Sequence, residues 1–196
     1  MSSASRHPAD ALDPTLAERI AQTRLAERFP TRWQHTIGVA AVTAGLLPRL
    51  PLSAPDADLA LAAAWLHDVG YARSPALYAW HPLDGAFLLN EWGYPQVANL
   101  VAWHTTAGEE AALKDADGLY VALLAGFPRE ESLIADLLTY ADMTTGPDGT
   151  PCTFARRLVD VRARHGANSL PARAMENAWP RMTAAAQRLQ TALTAE

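Results

Sequence analysis

The sequence predicts an all-α bundle, and three observations carry that prediction. Apolar residues make up 49 % of the 196-residue chain, and alanine, the strongest helix former, supplies much of that share. Apolar positions recur at helical spacing in one segment after another. No stretch of any length alternates apolar and polar residues as a half-buried strand would, and there is no repeat or low-complexity tract. The length suits a single domain with a real core, and the predicted helices are joined by short connections, as in a bundle.

Residues 1 to 12 read as a loose leader and 13 to 196 as one helical domain. Asp13-Pro14 caps and opens a first helix, which runs to about Phe29 and is stopped by Pro30. Thr31 caps a second helix with Val39, Val42 and Leu46 at apolar positions; Pro48 and Pro51 break it. Ser53 to Asp56 opens a third, apolar nearly all round from Leu59 to Leu66, which marks a central buried helix. His67-Asp68 close it and Gly70 is its natural stop. Residues 71 to 80 form a loop. His81-Pro82 begins the next helix, ending near Gly93, and Pro95 precedes another, Gln96 to about Thr105, with His104 in its last turn. Gly108 to Lys114 and Leu119 to Phe127 are shorter pieces, and Arg129 to Asp142 is a longer one. Thr144 to Gly149 is a loop by its turn chemistry. Residues 152–165 and 172–193 are amphipathic closing helices.

Bulk properties exclude several function classes. Net charge is −5 and no basic run stands out, so duplex nucleic acid is not an expected partner. A small anionic substrate stays compatible with that charge, because a metal site inverts the local field. Cys152 is the single cysteine, so no intrachain disulfide forms. The N-terminal residues lack the apolar core of a secretory signal, and Leu59 to Leu66 is too short to span a bilayer. The expectation is a cytoplasmic protein without a membrane partner. The exposed faces of the closing helices leave a homodimer open.

The chemistry concentrates in one central segment. His35, His67, Asp68, His81, His104 and Asp142 each fall near the end of a predicted helix. Imidazole and carboxylate together form a ligand set for first-row transition metals. Six such ligands exceed the needs of one ion and fit two. Each residue alone also fits a plainer role: a hydrogen-bonded core histidine, a residue preceding a proline, a helix-terminal aspartate. The set outweighs those readings, because a carboxylate ending a strongly buried helix needs a partner and a cation is the simplest one.

His35, His67-Asp68 and Asp142, in that order, resemble the HD-domain superfamily of metal-dependent phosphohydrolases. His81 and His104 are similar to the additional ligands of its dinuclear branch. Four segments resemble the symmetrical diadenosine tetraphosphate hydrolase group: Arg32-Trp33-Gln34-His35-Thr36-Ile37-Gly38-Val39, Trp80-His81-Pro82-Leu83-Asp84-Gly85-Ala86, Trp103-His104-Thr105-Thr106-Ala107-Gly108 and Tyr140-Ala141-Asp142. The likeness covers about residues 30 to 150. It implies a single HD-domain helical bundle in which His35, His67, Asp68 and Asp142 hold one metal, and Asp68 bridges to a second held by His81 and His104. Two departures stand out. That group carries a lysine three residues after the HD aspartate, where this chain has Tyr71, with Arg73 two positions further on; the Thr144 to Gly149 loop also differs.

The resemblance implies hydrolysis of a phosphoester or phosphoanhydride of a small, nucleotide-like phosphorylated molecule, with Asp68 the central catalytic residue. Two ions about 3.5–4 Å apart acidify a bridging water and hold phosphoryl oxygens. A His-rich set favours two divalent transition metal ions, iron or manganese first, then cobalt, nickel or zinc. Charge build-up in phosphoryl transfer calls for cationic helpers. Arg32, one turn before His35 on the same helix face, Arg73 and Lys114 are the candidates for substrate binding. His7 and His165 lie outside the motifs and are expected to do little. The same ligand pattern also resembles dinuclear iron oxygenases of this superfamily acting on a small organic substrate. A non-catalytic nucleotide-binding regulator is the third reading.

Overall fold

The structure is a computed structural model that describes residues 12–114 and 118–195. Among those residues it contains ten α-helices: α1 (Pro14–Leu25), α2 (Pro30–Leu46), α3 (Ala54–Leu66), α4 (His81–Glu91), α5 (Pro95–Ala102), α6 (Ala107–Leu113), α7 (Leu119–Gly126), α8 (Leu133–Met143), α9 (Phe154–His165) and α10 (Leu170–Thr194). Short 3-10 turns follow α2 and α3. Extended pairing among the described residues is limited to an isolated bridge between Thr145 and Pro151. The all-α prediction holds.

Local chemistry starts the helices. Asp13, Ser53, Ser132, Thr153 and Ser169 each accept a hydrogen bond from a first-turn N–H of α1, α3, α8, α9 and α10, satisfying donors that have no partner within the helix. Proline occupies one of the first two positions of α2, α4 and α5, where its missing N–H costs nothing.

Several boundaries differ from the sequence reading; the second helix starts at Pro30 with Phe29 in the cap position, so Thr31 lies inside it and does not cap it. The first helix ends at Leu25 rather than near Phe29, since Phe29 precedes Pro30 and leaves the helical region at φ −136°. The helix expected from Arg129 begins at Leu133, where Ser132 takes the capping conformation. The helix expected to reach Thr105 stops at Ala102, so His104 lies beyond it and not in its last turn; Thr105 has φ +47°, which no α-helix accommodates. Leu12, the last residue of the expected leader, is buried. The rest of that leader, with His7, lies outside the described residues.

Helix α3 is the hub, packing against α1, α2, α5 and α8. Ala60, Ala62, Ala63 and Ala64 are buried along it, and such small side chains let neighbouring helices approach closely. Leu66, fully buried at its end, contributes about 1.5–3 kcal/mol by the usual burial value. A second apolar cluster of Met143, Val161, Ala172, Met175, Ala178 and Met182 ties α8, α9 and α10 together.

The turn after α3 is pressed onto the start of α4. A Cβ on Gly70 would fall 2.0 Å from the His81 carbonyl oxygen and 2.5 Å from the Gly85 nitrogen, so only glycine fits there. Gly70→Ala is expected to destabilise the protein by about 1–3 kcal/mol, as overpacking does, read by urea unfolding. A loss below about 0.5 kcal/mol would show that the turn and α4 can separate freely.

Candidate metal centre

Five elements deliver the six predicted ligands to one place. His35 sits inside α2, His67 and Asp68 leave the end of α3, His81 opens α4, His104 follows α5, and Asp142 lies near the end of α8. All are buried except His81, which is half-buried.

Main-chain carbonyls orient three of the imidazoles. His35 Nδ1 lies 3.0 Å from the Gly146 oxygen, His67 Nδ1 2.8 Å from that of Ala64, and His104 Nδ1 2.6 Å from that of Val101. A carbonyl only accepts, so each Nδ1 carries the proton and donates it. In the neutral ring the Nε2 lone pair then faces inward, as in metal-binding histidines. What it meets there is more electron density. His35 Nε2 is 2.9 Å from Asp142 Oδ1, and His67 Nε2 is 3.6 Å from Asp68 Oδ2. His81 Nε2 is 3.3 Å from both Asp68 Oδ1 and His104 Nε2. His67 Nε2 and Asp68 Oδ2 are buried with no hydrogen-bond partner. Converging acceptors in an interior need a positive charge between them.

Five of the six fall into two groups, His35–His67–Asp68 and Asp68–His81–His104, each with its ligand atoms within 4.8 Å of one another; Asp142 is in neither and stands against His35. Asp68 is common to both. This nitrogen and oxygen donor set, with its unpartnered buried atoms, fits a divalent transition metal.

The field is tuned the same way. Burial pushes His67 down and His81 down to about 3, against the pull of Asp68, so both rings are neutral and free to donate electrons at neutral pH. Burial alone would raise Asp68, but the imidazoles of His67 and His81 and the Arg32 guanidinium outweigh it and keep the carboxyl well below its ordinary range. Burial likewise opposes the ionisation of Asp142, and its neighbours His35, His67 and Arg157 override that effect and hold the carboxyl well below its ordinary range.

The ligands open onto a cavity of about 440 Å³. Arg32 and Arg73 line it. The Arg32 guanidinium lies 3.6 Å from Asp68 and 4.6 Å over the Tyr71 ring, which stacks in turn on His81. Tyr71 thus fills the place of the missing lysine with a wall between a cation and a ligand. Arg73 pairs with Glu91 through Nη2, while its Nε and Nη1 are buried without partners. Lys114 does not line the cavity; its ammonium lies 5.9 Å over the Trp80 ring. Nearness in sequence to His104 did not translate into direction, because α6 carries Lys114 away beyond its end.

Several contributors escaped the sequence reading. Arg157, Arg164 and His165 of α9 line the cavity, so His165, outside the motifs in sequence, lies at its wall. Their spacing with Val161 was the available signal, since 157, 161, 164 and 165 share one helix face. The Thr105 hydroxyl donates to Asp142 Oδ2 and its carbonyl accepts from Arg181 of α10. Arg181 is itself held by Glu109 at 2.8–2.9 Å. A non-glycine residue with positive φ is uncommon, and here it is fixed from both sides.

Residues 32–145, more than half of the chain, match the HD domain. The chain belongs to the HD-domain family. Members of this family are generally metal-dependent phosphohydrolases, and the cluster lies within the matched HD segment. Comparison with curated proteins and with solved structures gave no match. No helix among the described residues is long and apolar enough to cross a membrane.

The buried imidazoles set a pH response for the metal-free protein. In the unfolded chain His81 titrates near its ordinary 6.5, and in the fold near 3. Between those values the unfolded state binds the extra proton, so stability falls as pH drops below about 6.5. His67 acts in the same sense. Asp68 and Asp142, held below 3.8, add a further loss at still lower pH. Thermal unfolding in chelator is expected to show a falling midpoint from pH 7.5 to 5. A flat midpoint would mean that the rings are not held neutral.

Proposed function

We propose that this HD-domain protein hydrolyses a phosphoester or phosphoanhydride of a small, nucleotide-like phosphorylated molecule, using two divalent transition metal ions. One observation carries the reading: Asp68 belongs to both ligand groups, at the wall of a cavity that arginines line. His35, His67, Asp68 and Asp142 would hold one ion, and Asp68, His81 and His104 the other, with iron or manganese the best fit to the donors. Bound there, the ions would supply Lewis acidity, acidifying a water nucleophile and neutralising phosphoryl charge.

The chain's own residues do the rest. The three carbonyl-anchored imidazoles keep their Nε2 lone pairs aimed into the ligand cluster without rearrangement. The Thr105 hydroxyl holds Asp142 by Oδ2, the oxygen that His35 does not contact, while the Arg157 guanidinium stands 3.6 Å from Oδ1. Arg32, held over Tyr71 but only loosely paired with Asp68, can turn its donors to phosphoryl oxygens. Arg73 lines the same cavity, with its Nε and Nη1 buried and unpartnered. Guanidinium donors match phosphate oxygens in geometry as well as charge. This cationic lining favours the hydrolase over the oxygenase reading, because an uncharged organic substrate gains nothing from it.

Phosphate release from a panel of nucleotides, dinucleoside polyphosphates and simple phosphoesters tests the reading on manganese- or iron-loaded protein. Asp68→Ala is expected to abolish release and lower metal content, and retained turnover in it would sink the mechanism. His81→Ala is expected to halve the metal bound; an unchanged stoichiometry by elemental analysis would make the site mononuclear.

A further inference from the structure

We infer that α9 carries a second anion subsite, formed by Arg157 and Arg164, that selects substrates bearing a phosphoryl group in addition to the one that reacts. The inference rests on the phosphohydrolase reading above and extends it to substrate class. Helix α9 lies outside the matched HD segment, at residues 154–165 against 32–145.

The four arginines of α9 divide by face. Arg156 and Arg162 are paired, with Asp160 at 3.2 Å and with Glu176 respectively. Arg157 and Arg164 line the cavity instead. Arg157 is 8 % exposed. Its Nη2 stands 3.6 Å from Asp142 Oδ1, a contact too long for a hydrogen bond, and its Nε is buried with no partner. A buried guanidinium with unmet donors is costly unless something arrives to accept them. Among the described residues no carboxylate lies within ion-pair distance of Arg164. Partial burial and the nearby charges of Arg157 and Arg32 make its guanidinium easier to deprotonate than usual, with Asp160 opposing. Like charges therefore face one another across this end of the cavity.

The remaining carboxylates on the cavity wall do not neutralise them. Asp84 is occupied by the backbone N–H groups of Leu77, Tyr78 and Trp80. Glu110 accepts from the Trp80 indole and the Thr106 hydroxyl. Asp68 and Asp142 belong to the ligand cluster. Arg157 and Arg164 thus reach the cavity from α9, a different element from those that carry Arg32 and Arg73, and Val161, Pro171 and Met175 line it as well. Guanidinium donors supplied by α9 in addition to Arg32 and Arg73 fit a substrate with two phosphoryl groups better than a monophosphate.

Calorimetric titration of the full chain as purified, at low ionic strength, tests this with methylenediphosphonate against methylphosphonate. Neither probe is hydrolysed, so the readout is independent of turnover, and a protein that proves to be no hydrolase can still pass or fail. The wild type is expected to prefer the diphosphonate by tenfold or more. Arg164→Glu is expected to erase that preference while leaving methylphosphonate affinity within about twofold, and Arg164→Lys to retain part of it. Arg156→Glu, the same charge change on the outward face of α9, is expected to keep it. No preference in the wild type, an unchanged preference in Arg164→Glu, or an equal loss in Arg156→Glu would each overturn the subsite.

Discussion

The site depends on three N–H groups donated by imidazoles to main-chain oxygens. Each is a modest hydrogen bond, but together they decide which ring nitrogen is protonated. That choice turns His35, His67 and His104 into inward electron donors. The partner carbonyls are those of Ala64 and Val101, each three residues before its histidine at a helix end, and Gly146 in a loop. Backbone that a helix terminus leaves unpaired is therefore spent on ligand orientation. The fold need only bring helix ends together, and the cluster follows.

Helix α3 explains how they meet. Its alanines give it a thin profile, so several helices pack around it while His67 and Asp68 emerge at the centre of the gathering. Gly70 then lets the chain pass against α4 closely enough to place His81 beside Asp68. Gly149 serves the neighbouring loop in the same way: with φ +80°, a Cβ there would fall 2.4 Å from the Gln34 oxygen. That close approach seats the Thr144 to Gly149 segment on α2 and brings the Gly146 carbonyl to His35.

Much of this was legible in the sequence, and the illegible part has a common cause. The helices announce themselves through prolines, capping residues and apolar spacing, which are local. The six candidate ligands stand out as a set, because imidazoles and carboxylates recur at the ends of apolar helices within one segment. Gly146 could not be read, since its contribution is a backbone oxygen that residue type does not encode. The stop at Ala102 could not be read either, because Thr105 adopts its left-handed conformation only under the grip of Asp142 and Arg181. Arg157 and Arg164 carried no signal of their own beyond belonging to an amphipathic helix. Which face of α9 turns inward is fixed by Met143, Val161, Met175 and Met182, contacts made across the chain.

The Arg181 clamp carries a consequence for the order in which the molecule is built. Helix α10 follows all six ligands in the chain, yet its guanidinium holds the Thr105 carbonyl one residue from His104, and Arg188 grips Asp136 six residues before Asp142 at 2.7–2.8 Å. A nascent chain emerging from the ribosome therefore has every ligand in hand before it has the brace that sets two of them. Long-range closure of this kind is slow compared with helix formation. The surroundings of His104 and Asp142 are thus completed only when α10 docks.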